Sequence, residues 1–132
     1  MPPRRPEGLT PLELEIMKVL WARGPGGVQA VQDALAPRRK LAYTTVQTML
    51  NVLWRKGRVR RTLKDRAFVY YPVLTRRRAL RQAVGDMVDR LFGGSAESLV
   101  VSLVESRQLT PEALARLTRA LERAEKDDRG DR

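Results

Sequence analysis

Between Leu41 and Val73 the chain reads LAYTTVQTMLNVLWRKGRVRRTLKDRAFVYYPV. Val46, Met49, Leu50 and Leu53 recur at spacings of three, one and three, which predicts a helix from about Ala42 to Lys56 with one apolar side. Thr44, Thr48, Asn51 and Arg55 fall on the other side, flanked by Thr45 and Gln47. Gly57 stops the helix in the manner of a C-cap. Arg58 to Leu63 and Phe68 to Val73 are rich in β-formers and bracket the turn Lys64-Asp65-Arg66-Ala67, which predicts a hairpin. A polar-faced helix running straight into a charged hairpin leaves few folds open. It is the order of a recognition helix followed by a wing.

The preceding residues supply the helices such a module needs. Thr10-Pro11-Leu12-Glu13 combines a cap, a proline for the first helical position and the acid of a capping box. The helix that follows puts Leu12, Ile16, Val19 and Leu20 on one face, with Trp21 near its end. Gly24-Pro25-Gly26-Gly27 stops it. A shorter helix is predicted over Val28 to Leu35, with Val28, Val31 and Leu35 inward. The expected fold is mostly α with a small β-hairpin: an N-terminal winged helix-turn-helix over residues 1–73 and a helical dimerisation region over 74–132.

Charge divides the chain in the same way. Residues 1–82 carry 18 Lys and Arg against 5 Asp and Glu, and residues 83–132 carry 8 against 10. A basic front half is the footprint of a polyanion partner, and the predicted helix and wing give that footprint a shape. There is no cysteine and no histidine, so disulfides, thiolate or imidazole metal ligands and the commonest general base are excluded. No metal, no cofactor and no catalytic constellation is expected. Gly24 to Gly27 lack the Lys-Ser/Thr of a phosphate loop, and Asp86 and Asp89 read as surface charges. The start, Met1-Pro2-Pro3-Arg4-Arg5-Pro6, has no apolar core for a secretory signal, and no run is long enough to span a membrane. A cytoplasmic protein without membrane insertion is expected.

Major-groove reading needs short or planar polar side chains on an uncovered helix face. Thr44, Thr45, Gln47, Thr48 and Asn51 fit this as candidate base readers. A Thr-rich face has poor helix propensity, so a solvent-facing role alone accounts for it badly. Candidate phosphate contacts flank it: Arg38, Arg39 and Lys40 before the helix, then Arg55, Lys56, Arg58, Arg60 and Arg61, with Lys64 and Arg66 on the wing. Tyr43, Trp54, Phe68, Tyr70 and Tyr71 interleave with them. Such rings could stack on single-stranded bases. Core and wing packing is the preferred reading, with Trp54 on the inner side of its helix and Phe68 and Tyr70 sharing a strand face.

Beyond Pro72 the pattern changes. Thr75 can cap a helix through Phe92, with Leu80, Val84, Met87 and Leu91 on one stripe. Gly93-Gly94-Ser95 breaks it, and Leu99, Val100, Leu103 and Val104 mark a short apolar helix. Thr110-Pro111-Glu112 starts a last helix with Leu114, Leu117 and Leu121 in line, and the charged 126–132 tail is expected to fray. These eleven apolar residues exceed what three short helices can bury among themselves, which marks a dimer interface.

The blocks LTPLELEIMKVLW, VQAVQDAL, AYTTVQTMLNVLWRKG and FVYYPV, in that order, resemble the penicillinase-repressor (BlaI/MecI/CopY) family of bacterial transcriptional regulators. The likeness runs from Leu9 to about Ala124, and GGSAESLVVSLVE resembles the family's hinge and first dimerisation segment. The resemblance implies a homodimer on an inverted-repeat operator in double-stranded DNA. It also implies a membrane sensor-protease pathway that ends in cleavage of the repressor and derepression of β-lactam resistance genes. Better-known members carry Asn-Phe at the cut, and the corresponding pair here is Ser102-Leu103. Copper-responsive relatives use a cysteine-rich tail, which this chain lacks. Two readings from other classes stay open: a winged helix used as a protein-interaction module, and a basic RNA-binding protein.

Overall fold

The structure is a computed structural model that describes residues 8–130. The Pro- and Arg-rich start and the last two residues lie outside the described residues. The order is α1 (Pro11–Arg23), α2 (Val28–Leu35), α3 (Tyr43–Arg55), β1 (Val59–Lys64), β2 (Ala67–Pro72), α4 (Arg76–Leu91), α5 (Ala96–Glu105) and α6 (Pro111–Gly130). Two compact units result, Met1–Val84 and Gly85–Arg132.

In the first unit, α1 opens on a complete capping box. The Glu13 N–H donates to Thr10 Oγ1 at 3.2 Å, and the Thr10 N–H donates to Glu13 Oε1 at 2.8 Å. Each bond satisfies a backbone or side-chain group that a bare helix end would leave orphaned. Gly24, at φ 88°, ends the helix in a conformation that costs other residues energy. β1 and β2 pair antiparallel with Arg61 opposite Tyr70 and Leu63 opposite Phe68. Their two-residue turn, Asp65-Arg66, has φ of 50° and 68°, the doubly positive pattern that matches a hairpin's twist.

The Gly-Pro-Gly-Gly segment does more than stop α1. Gly26 pairs with Tyr70 through bonds of 3.2 and 2.9 Å in both directions, adding a one-residue third strand to the hairpin. A side chain at Gly27 would meet the Phe68 carbonyl oxygen at 3.2 Å, so this close approach favours glycine there.

The core joins Ile16, Met17 and Leu20 of α1 to Val28, Val31 and Leu35 of α2 and to Val46, Leu50 and Leu53 of α3. Val59, Tyr70 and Leu74 close it. Leu12, Val19 and Met49, expected in the apolar faces, are only partly buried, while Met17 is fully so. Leu74 is buried, Ala79 packs on the same core and Trp21 Nε1 donates to the Leu74 carbonyl at 2.9 Å. The first unit therefore extends past residue 73, where the sequence placed its end, and the boundary falls within α4.

In the second unit, Ser95 caps α5 by accepting from the Ser98 N–H at 3.1 Å, after Gly93 and Gly94 turn the chain at φ of 57° and 84°. Thr110 caps α6 by accepting from the Ala113 N–H at 3.1 Å. α6 stays helical to Gly130 where a frayed tail was expected. Glu122 and Lys126 stand there at the i, i+4 spacing that supports an exposed helix. No described residue after Leu74 is buried.

Candidate nucleic-acid interface

One face of α3 is spent on the core through Val46, Leu50 and Leu53, and the opposite face is open. Thr44, Thr45, Gln47 and Thr48 are all exposed there, so four of the five candidate base readers form one uncovered polar patch. Asn51 is half-buried and faces the hairpin. Its Oδ1 accepts from Arg61 at 2.7 Å and, more weakly, from the Tyr70 hydroxyl at 3.4 Å.

The candidate phosphate contacts separate into two groups. Arg38 and Lys40 before α3, Arg55 at its end, and Lys64 and Arg66 at the hairpin tip are exposed. The loop that carries the first two is tied down where Gln32 Nε2 donates to the Leu41 carbonyl at 2.9 Å. Arg39 is exposed but pairs with Glu15 at 2.7 Å. The rest have partners inside the module. Lys56 reaches the buried Glu13 carboxylate at 2.8 and 3.1 Å. Arg60 lies 4.2 Å over the Tyr71 ring, and Arg58 is half-buried. Arg61 lies 3.7 Å over Trp54 and 4.0 Å over Phe68, close enough for a cation–π attraction to each ring.

Glu13 and Lys56 link the start of α1 to the end of α3. The Glu13 side chain is 1% exposed and the Lys56 side chain 21%. Burial, the largest single influence on Glu13, pushes its carboxyl up. The bond from Lys56, the Thr10 N–H and the charge of Lys56 together outweigh it and hold the group below the usual carboxylate range. Glu13 reads in the sequence as a capping residue and Lys56 as a candidate phosphate contact. Nothing in their local pattern signals that one pairs with the other.

The rings are placed for packing. Tyr70 is buried, and its ring centroid lies 6.3 Å from that of Phe68 on the shared strand face. Trp54 is a correction: it is 41% exposed, outside the inner arc that Val46, Leu50 and Leu53 already fill. With Arg60 over Tyr71 and Arg61 over Trp54 and Phe68, four of the five rings are either buried or capped by a cation. That is a poor stacking platform for single-stranded bases.

A helix with an open polar face, cations at both of its ends and a basic-tipped hairpin beside it define a winged-helix DNA-binding protein. The chain belongs to the penicillinase repressor family, whose model matches residues 9–123. It is 30% identical over 110 residues to the penicillinase repressor of Bacillus licheniformis, covering 83% of this chain and 86% of that protein. It is 42% identical over 99 residues to the transcriptional regulator BlaI of Mycobacterium tuberculosis (strain CDC 1551 / Oshkosh), covering 71% of this chain and 70% of that one. Among solved structures, it resembles the Bacillus licheniformis BlaI monomeric form in complex with the blaP half-operator. That likeness has a TM-score of 0.44 and 33% identity over 52% of this chain and 83% of the other. This chain is a DNA-binding transcriptional repressor. No helix among the described residues is long and apolar enough to cross a membrane.

Proposed function

We propose that this repressor acts in the cytoplasm as a homodimer on an inverted-repeat operator, with the α3 of each protomer in a major groove. The observation that carries the reading is the open face of Thr44, Thr45, Gln47 and Thr48, beside cations at Arg38, Lys40, Arg55, Lys64 and Arg66. Cations at the rim fix register through phosphates, while the polar face meets base edges. Gln47 can pair with adenine in bidentate fashion, and a Thr methyl can meet a thymine methyl.

The second protomer is called for by α4, α5 and α6. Leu80, Val84, Met87, Leu91, Val100, Val104, Leu114, Leu117 and Leu121 are all exposed in the single chain, and Leu99 and Leu103 are half-buried. Exposed apolar surface of this kind is normal at dimer interfaces and rare on a monomer.

One relative is named a penicillinase repressor and another a methicillin resistance regulatory protein. By extension, the output here is antibiotic-resistance gene control, with a membrane sensor-protease pathway upstream. The Ser102-Leu103 bond lies inside α5, so a protease that cuts it must first open that helix. With no buried residue of its own, α5 opens more readily in a free protomer than in a dimer.

Two outcomes test the reading helix and the wing. Gln47→Ala with Thr48→Ala is expected to lower operator affinity roughly 10- to 100-fold while leaving binding to a scrambled duplex unchanged. Fluorescence anisotropy on both duplexes checks this, and an equal loss on each would remove these residues from base reading. Lys64→Ala and Arg66→Ala are each expected to weaken both duplexes alike. Each should reduce the slope of log affinity against log salt by about 1.

A further inference from the structure

We propose that Asn51 and Arg61 serve operator binding as positioning residues that hold the hairpin against α3, and that neither contacts DNA. The inference rests on the DNA reading proposed above and changes the role of two of its candidate contacts.

A guanidinium has donors only, so the Asn51 atom that faces Arg61 at 2.7 Å is the carbonyl oxygen. The Tyr70 hydroxyl approaches the same oxygen at 3.4 Å. Both acceptor directions of Oδ1 are therefore taken up by the hairpin. Bidentate adenine reading needs that oxygen to accept from the base while the amide nitrogen donates. Asn51 can do so only by releasing Arg61.

Arg61 is engaged as fully. Its guanidinium lies over Trp54 of α3 and Phe68 of β2 while bonding Asn51 of α3. The side chain is half-buried, and the strand register puts it on the face shared by Val59 and Tyr70. Reaching a phosphate would cost it two ring contacts and a charge-assisted hydrogen bond at once. One residue of β1 thus touches both ends of the α3-to-wing angle. Any change in that angle shifts Lys64 and Arg66 relative to the polar face of α3.

The distinguishing variant keeps the charge. A lysine serves a phosphate nearly as well as arginine, but it lacks the planar fork that bonds one group while lying over two rings. Wild type, Arg61→Lys, Asn51→Ala and Phe68→Leu are titrated by anisotropy with three sets of duplexes. These are a selected operator, its single-base variants and a scrambled duplex, each across a salt series, with melting curves confirming the fold. Arg61→Lys is expected to lose about tenfold in operator affinity with its salt slope and scrambled-duplex binding unchanged. Asn51→Ala is expected to lose a similar factor across all single-base variants, and Phe68→Leu, which removes one ring, to follow in the same direction. The proposal is overturned if Arg61→Lys binds like wild type or if Asn51→Ala relaxes preference at one base pair alone. A wild type with no operator preference would instead overturn the DNA reading on which the proposal rests.

Discussion

Lys56→Met is expected to destabilise the first unit by about 3 kcal/mol at neutral pH, a loss that narrows as the pH falls. The substitution leaves the Glu13 carboxylate, 1% exposed, buried without its counter-charge. In the wild type the folded-state carboxyl sits below the usual range. It therefore contributes stability that is present above the unfolded carboxylate value and is lost as pH falls through the lowered one. Without Lys56, burial is opposed only by the two Thr10 bonds, so the folded value moves upward from that of the wild type. The deficit relative to the wild type is therefore full at neutral pH and narrows as the carboxyl is protonated. Thermal melts at pH 7 and pH 4 check this, with a shift of roughly 10–20 °C expected at pH 7. Adding Glu13→Gln to Lys56→Met should recover much of the loss, because it removes the stranded charge. A Lys56→Met deficit that is small and independent of pH would show that the pair is not coupled.

Leu117→Glu with Leu121→Glu is expected to split the dimer and lower operator affinity roughly a thousandfold. These leucines are 55% and 63% exposed in the single chain, so the glutamates cost its fold little. In a two-fold interface the same change brings like charges together and removes apolar area. Each protomer would then hold one half-site with half the contacts. Sedimentation equilibrium should show the mass halved while circular dichroism stays unchanged. A variant that remains dimeric and binds as before would move the interface elsewhere.

Much of the winged helix is legible in local pattern. The capping box of Thr10 and Glu13 announces α1, and Gly57 ends α3 within a residue of the expected place. The hairpin strands differ by one residue from their predicted bounds, because Asp65 and Arg66 alone make the turn. What stays hidden is pairing at a distance. The Gly26–Tyr70 bridge joins segments whose local sequence gives no sign of each other. A cation's destination is hidden for a related reason. Lys56 and Arg66 have the same kind of side chain, yet one meets a buried acid and the other is exposed at a turn. Arg61 carries a readable signal: it stands two residues from the inward Val59 and pairs with Tyr70, which puts it on the packed face. Trp54 borders the inner arc, where small differences in helical angle separate packing from exposure, so its spacing alone does not place it. The stripes of α4 to α6 were legible as apolar surface, but a single chain does not contain what covers them.

Operator reading by a homodimer is tested by selection of duplex DNA from a random pool with competitor present. The winner and a scrambled duplex are then compared by anisotropy at physiological salt. Competitor is essential because a chain of net charge +11 binds any duplex at low salt. A homodimeric reader selects an inverted repeat with half-sites about one helical turn apart, or a multiple of that, preferred roughly a thousandfold or more. Equal binding to both duplexes, fading together as salt rises, would contradict that reading.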